Sequence, residues 1–352
     1  MKRRPRLSAG RFDPAFRLAE SLVQRGAPPT VLGISDARRT IRVQSFGSQQ
    51  GTPIPADIVA PLFSVTKPMV AAAVAQLWER GLLNLHEFVA SYLPGFEANG
   101  KQAVMIRHLL THTSGINEAA SVEAMRRGCG PEELEAAVMA SPLDAVPGTR
   151  QRYSSAAFVA LGMIVRKVSG QPLDRYMAEE IFGPLGMTRT GYDPAVLTTG
   201  MVMEVPNLPD LGMSPTMSSF VPLAFAGAGL WSCAEDVLAF GRVFLRGGRT
   251  GRGAARILSP AACDAILSPQ TPGVPSFVPG DFDGWVMGLG WYLPAPPSHK
   301  VMALEGANHS GAGGCQVFVS RRWGIACAVI TARIRHRTEK LLNALFACLP
   351  EA

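Results

Sequence analysis

No uninterrupted apolar run of about 18 residues occurs in the chain, so no membrane-spanning helix is expected. The N-terminus is basic at Lys2, Arg3, Arg4 and Arg6, but no apolar segment follows before Asp13, and no secretory leader is expected. The six cysteines, at 129, 233, 263, 315, 327 and 348, lie far apart and form no C-x-x-C pair. That pattern fits reduced, buried thiols in a cytoplasmic protein better than a disulfide framework or a zinc site. A basic stripe interleaved with aromatics is also missing, despite the net charge of +7, so nucleic acid is not an expected partner. Gly-x-Ser-x-Gly, a P-loop and a strand-linked Gly-x-Gly-x-x-Gly are absent, which removes the α/β-hydrolase elbow and the common nucleotide sites. His108-x-x-x-His112 has the spacing of a two-histidine metal site. Leu109 stands where the zinc-protease pattern has Glu, and no acidic third ligand is evident, so neither metal nor cofactor is expected.

With 47% hydrophobic and 17% charged residues over 352 positions, the chain can bury a large core in one big domain or two. Lysine is scarce, six among 34 basic residues. One of the six stands in Phe63-Ser64-Val65-Thr66-Lys67-Pro68-Met69, directly before the alanine-rich run 70–77. That run has helical composition and can pack closely on all sides. Ser64 would stand at the helix start with Lys67 three residues on, on the same face. Pro68 is tolerated in a first turn, where backbone N–H groups have no partner. Apolar flanks bury Lys67 and lower its pKa, so Ser-x-x-Lys reads as a nucleophile with a base at fixed spacing. The plain alternative is a capping serine beside a snorkelling lysine.

Periodicity predicts a helix over 13–25 and strands over 30–35 and 40–46. Helical patterns then dominate from Ser64 to about residue 250, with segments at 106–115, 131–140, 157–168, 172–182 and 234–245. Residues 193–222 lack periodicity and read as a long excursion near a site; their methionines and leucines would suit an apolar acyl pocket. Strands are expected at 285–293, 300–305, 315–319 and 325–331, and a last helix at 338–349. The class is α+β. A discontinuous sheet domain over 10–62 and 250–352 is interrupted by a mainly helical domain over 63–249, with the active site between them.

Two further stretches carry candidate chemistry. Tyr153 follows the turn Val146-Pro147-Gly148 and precedes a helix; a phenol becomes a usable base where an ammonium stabilises its phenolate. Ser155, two residues on, would reach Lys67 or a substrate carbonyl, or else cap the helix. Asn308-His309-Ser310-Gly311-Ala312-Gly313-Gly314 is polar and glycine-rich at the end of a strand. It would let a substrate approach the backbone and complete an oxyanion hole, or form a plain hairpin turn.

Taken in order, 63–69, 106–115, 147–155, 184–187, 227–236 and 309–311 resemble the serine β-lactamase and penicillin-binding-protein superfamily, with a closer likeness to class C β-lactamase-like esterases and acyl-transfer enzymes. The resemblance implies an antiparallel sheet flanked by N- and C-terminal helices, with a helical insert. It implies Ser64 as acylated nucleophile, Lys67 as its activator and Tyr153 as general base. Ser155 falls where β-lactamases of this class carry Asn, and the Ser64 and Ala312 amides would form the oxyanion hole. His309-Ser310-Gly311 falls where β-lactamases have Lys-Thr-Gly. A mostly neutral histidine there weakens carboxylate binding at pH 7. The expected activity is therefore a serine hydrolase acting on a small-molecule carboxylic ester. The alternatives are an acyltransferase or transamidase on the same acyl-enzyme, a D-amino-acid peptidase or weak β-lactamase, or a binding or sensor protein. Oligomeric state is not legible.

Overall fold

β-Branched and aromatic residues alternate at both ends of the chain, and the two stretches pair. The computed structural model describes residues 7–198, 200–206, 223–251, 253, 255–278, 285–295 and 306–350. Strands β1 (Thr30–Asp36), β2 (Thr40–Phe46), β3 (Trp285–Met287), β4 (Tyr292–Pro294), β5 (Ala307–Ser310), β6 (Gln316–Ser320) and β7 (Ile325–Ile330) form one sheet in the order β2-β1-β7-β6-β5-β4-β3. All neighbours are antiparallel, and β1 meets β7 with Val31 opposite Ile330 and Ile34 opposite Cys327. The β1–β2 hairpin closes on Asp36, whose carboxylate accepts the Arg38 and Arg39 N–H groups.

The period of two decides what each face meets. Leu32, Ile34, Phe318, Cys327 and Val329 bury one face against α1 (Asp13–Gln24) and the C-terminal helix Glu339–Ala347, through Phe12, Phe16, Leu342 and Leu345. Val31, Val317, Val319, Ala326, Ala328 and Ile330 bury the other face in the main core. On that face lies the helix Ala234–Leu245, which the sequence reading places in the helical part. It seats closely because Gly33 and Gly241 carry no Cβ: one on Gly33 would lie 3.0 Å from Leu238, one on Gly241 2.8 Å from Ala326.

The helical part is built around α2 (Thr66–Glu79), buried from Thr66 to Leu77. Around it follow α3 (Ile106–Leu110), α4 (Ala119–Arg126), α5 (Pro131–Ala140) and α6 (Ala156–Ser169). The Ala119–Arg126 helix and the Pro260–Ile266 helix have no counterpart in the sequence reading. The helix expected over 172–182 is present, as an α-helical turn Leu173–Met177 that widens into a π-helix over Ala178–Phe182. Small side chains on α2 admit the β3–β4 loop: a Cβ on Gly290 would meet Ala71 at 2.6 Å, and the Gly290 N–H donates to Leu110. All six cysteines are free thiols, five of them buried. No helix among the described residues is long and apolar enough to cross a membrane. The basic cluster at 2–6, the strand expected at 300–305 and residues 207–222 of the excursion lie outside the described residues.

Candidate active site

The turn that presents Ser64 is strained and clamped. Phe63 has φ +49°, a left-handed conformation rare for an aromatic residue. The Leu62 N–H donates to Leu230 at 2.8 Å, and the Leu230 N–H donates to Thr66 Oγ1 at 3.1 Å. From the sheet side, the end of β5 presses on the same turn. A Cβ on Gly311 would clash with the Leu62 carbonyl oxygen, and one on Gly313 would lie 2.7 Å from the Phe63 ring. Ser64 is half-buried in the short 3-10 turn Phe63–Val65 that feeds α2.

Lys67 is completely buried. Its ammonium donates to Gly227 O at 2.6 Å, Ser64 Oγ at 3.2 Å and Ser155 Oγ at 3.3 Å. It also sits 4.6 Å from the Tyr153 ring centre and 5.5 Å from that of Phe158. Burial lowers its pKa from 10.5 to about 7, against an opposing pull from Glu118. An amine that titrates near neutrality, within hydrogen-bond reach of a serine, is a usable base.

The Tyr153 phenol lies beside Lys67 and is close enough to Ser64 for that hydroxyl to lower its pKa. Burial pushes the phenol well above its ordinary value, Ser64 lowers it and Glu118 raises it. Tyr153 is thus a neutral phenol through the physiological range, rather than a phenolate stabilised by a nearby ammonium. Two buried histidines flank it, with ring centres 4.5 Å (His112) and 6.5 Å (His309) away. Backbone partners fix opposite tautomers in the two rings. His112 Nδ1 accepts the Ser154 N–H at 3.1 Å, so the ring proton is on Nε2. His309 Nδ1 lies 3.0 Å from the Ser310 carbonyl oxygen, which can only accept, so the proton is on Nδ1 and Nε2 is a lone pair. His108, the other member of the spaced pair, uses Nδ1 to accept the Met105 N–H at 3.1 Å.

Glu118 escaped the sequence reading. It caps α4, and its Oε2 accepts the Ser155 N–H at 2.6 Å and the Ala156 N–H at 3.3 Å. A carboxylate at the start of α6 satisfies two unpaired donors and meets the positive end of the helix. It thereby fixes the backbone that carries Tyr153 and Ser155. Gly227 belongs to a Gly-Ala-Gly too short for a nucleotide site; its carbonyl anchors Lys67. A Cβ there would lie 3.1 Å from Ser155. The only signals in sequence were an acid at the start of a weakly patterned helix and a lone Gly-Ala-Gly.

Ser64, Lys67, Tyr153 and Ser155 are thus brought together, with His309 beside Tyr153. Ser310 is exposed; its carbonyl holds His309, and its hydroxyl bonds no described residue. Gly311 backs onto Leu62. Ala312 is exposed on the turn after β5; its carbonyl accepts the Arg335 N–H at 2.9 Å. Among the described residues no cluster of three or more metal-ligating side chains occurs.

A family model described as Beta-lactamase matches residues 15–343. Protein Rv1367c of Mycobacterium tuberculosis (strain ATCC 25618 / H37Rv) is 33% identical over 239 residues, 60% of this chain and 59% of that protein. Penicillin-binding protein 4 of Amycolatopsis lactamdurans is 31% identical over 294 residues, covering 80% of this chain and 74% of its own. Esterase EstB of Burkholderia gladioli is 32% identical over 235 residues, 56% of this chain and 60% of EstB. The chain spans about three fifths of the length of the first and last of these. The solved structure of EstCE1, a hydrolase with promiscuous acyltransferase activity, superposes with a TM-score of 0.73 at 22% identity, covering 97% of this chain and 98% of that one. At that identity the likeness is one of fold.

Proposed function

The chain belongs to the β-lactamase and penicillin-binding-protein superfamily, and on that premise we propose that it is a serine hydrolase that cleaves a small carboxylic ester through an acyl-enzyme on Ser64. The observation that carries this reading is the buried Lys67 amine, titrating at about 7, within 3.2 Å of Ser64 Oγ. Similarity to EstB, which is named an esterase, supports the ester as substrate.

Neutral Lys67 accepts the Ser64 proton as Oγ attacks the carbonyl carbon. The developing oxyanion is held by the Ser64 and Ala312 N–H groups; the close seat of Gly311 against Leu62 supports this reading. Tyr153, a neutral phenol beside Lys67, passes a proton to the departing alkoxide and takes one back from Lys67. Ser155 Oγ and Gly227 O hold Lys67 in place through the cycle. Water then attacks the acyl-enzyme, and the same groups act in reverse. Ser64, Lys67, Tyr153 and Ser155 would come from a helical part over 63–249, and His309, Ser310, Gly311 and Ala312 from a sheet part over 10–62 and 250–352. The cleft between the two parts is the active site. Six free thiols fit a reducing compartment such as the cytoplasm.

A fluorophosphonate probe followed by mass spectrometry, with p-nitrophenyl acetate and butyrate turnover, tests the reading. The expected result is one label on Ser64 in the wild type, with labelling and turnover lost in Ser64→Ala. Undiminished turnover in that variant overturns it. Acyl transfer to alcohols or amines is the second reading, favoured by the likeness to EstCE1. It predicts that added alcohol diverts the acyl group from water.

A further inference from the structure

Helix α3 ends where a glycine would serve best, and a histidine stands there. The Thr113 N–H donates to His108 O at 2.9 Å and the His112 N–H to Leu109 O at 3.5 Å. These two bonds make the wrapped helix end whose first residue past the helix is left-handed, and His112 has φ +56°. Glycine takes that conformation freely, whereas a Cβ is crowded in it. The ring that this backbone carries serves another stretch of the chain. It is completely buried, and its Nδ1 accepts the Ser154 N–H at 3.1 Å. The His112 carbonyl accepts the Arg152 N–H at 2.7 Å. The N–H groups on both sides of Tyr153 are therefore bound by one residue. The ring centre of His112 also lies 4.5 Å from that of Tyr153, with 33° between the planes, and 5.4 Å from that of Phe158. Residues 152–154 belong to no helix or strand, so no regular ladder holds the phenol where it stands. His112 supplies what a ladder would.

We propose that His112 is a positioning residue for Tyr153, kept in a strained helix end so that its carbonyl, ring nitrogen and ring face together fix the phenol beside Lys67. The inference rests on the Ser64 acyl-enzyme reading, in which Tyr153 relays the proton. Capping α3 does not call for a histidine, since glycine would do it without strain; a backbone outlier that persists in contact with a reacting group points to function there. The spaced histidines of the sequence thus find a use as backbone acceptors, His108 Nδ1 for the Met105 N–H and His112 Nδ1 for the Ser154 N–H. A phenol that hands a proton to a departing alkoxide must be placed to a fraction of an ångström, because a shift of about 1 Å costs up to about 10²-fold in rate.

A double-mutant cycle with Tyr153→Phe tests this on p-nitrophenyl butyrate, each variant titrated with the fluorophosphonate probe so that only folded sites count. His112→Gly suits the left-handed backbone but removes both acceptor and ring; His112→Asn also suits it and restores an acceptor. In His112→Gly kcat should fall about 50-fold with KM within about threefold, and His112→Asn should recover about fivefold or more of that loss. In the Tyr153→Phe background, where the hydroxyl to be placed is gone, the same substitutions should lower kcat by less than about twofold. Should His112→Gly fail to fold, His112→Asn carries the cycle alone. Equal losses in the two backgrounds mark a general packing role and overturn the proposal, as does a kcat within about twofold of wild type in the variant that carries the cycle. A Tyr153→Phe enzyme as active as the wild type leaves no hydroxyl to place and overturns it too. Turnover that survives Ser64→Ala overturns the acyl-enzyme reading instead, so the two failures are distinguishable.

Discussion

Two lysines among the described residues are completely buried, and they are buried differently. Lys101 donates to three backbone carbonyls, Ala98 at 2.9 Å, Met139 at 3.0 Å and Ser141 at 2.6 Å, and lies 5.2 Å from the Phe96 ring centre. Two of those carbonyls belong to the C-terminal end of α5, where a cation meets the negative end of the helix. Lys67 has one carbonyl and two hydroxyls. A carbonyl can only accept, so a neutral Lys101 would leave acceptors without donors. A hydroxyl can turn and donate, so Lys67 keeps its partners when it gives up its proton. Burial lowers both pKa values. The chemistry of the partners makes one lysine a cap and suits the other to the proposed role of base.

The sharpest way to break this contrast is to remove both ammonium groups in turn. Lys67→Ala should lower kcat/KM for p-nitrophenyl butyrate by about 10³-fold while the circular-dichroism spectrum stays native. Lys101→Met should do the reverse. Turnover per fluorophosphonate-titrated site stays within about threefold, while Tm falls by roughly 5 °C as three buried carbonyls lose their donor. If the two variants lose activity equally, the contrast is gone. Tyr153→Phe removes the proton relay but leaves the Lys67–Ser64 bond, and should cost about 10²-fold in kcat.

Glu118→Gln probes the tuning and has the smallest effect. Glu118 raises the Lys67 pKa, so its removal lowers it, and a larger fraction of Lys67 is then in the basic form at acidic pH. Activity in the wild type should rise with pH through about 7, and in Glu118→Gln this acid limb should move to lower pH. An unmoved limb would show that the carboxylate serves α6 geometry alone. Neither His112 nor His309 should add a limb at the ordinary imidazole pKa of about 6.5, because burial lowers both.

The parts of the site legible in sequence were those whose chemistry is local. Ser64 and Lys67 share one helix face at fixed spacing, and Tyr153 and His309 mark their own turn and strand end. Glu118 was illegible because its role depends on where α4 delivers it, against N–H groups 37 residues further on. Gly227 was illegible because its carbonyl, which every residue has, does the binding. The same holds for the fold. The continuous apolar run 325–330 reveals a strand, but nothing in it names β1 as the neighbour. The amphipathic stripe of Ala234–Leu245 reveals a helix but not the sheet it covers. There the telling residues were Gly33 and Gly241, which read as mere gaps until their neighbours are known.

The sheet order has a consequence for how the enzyme comes into being. β1 lies between β2 and β7, and the strand that ends at His309 and Ser310 is placed through β6 and β7, which follow it in the chain. Ser64 and Lys67 therefore leave the ribosome long before the edge that would hold an oxyanion beside them. On the proposed mechanism the nascent chain carries its nucleophile in an inactive setting, and hydrolytic power arrives only when strands far apart in the sequence pair, Val31 with Ile330.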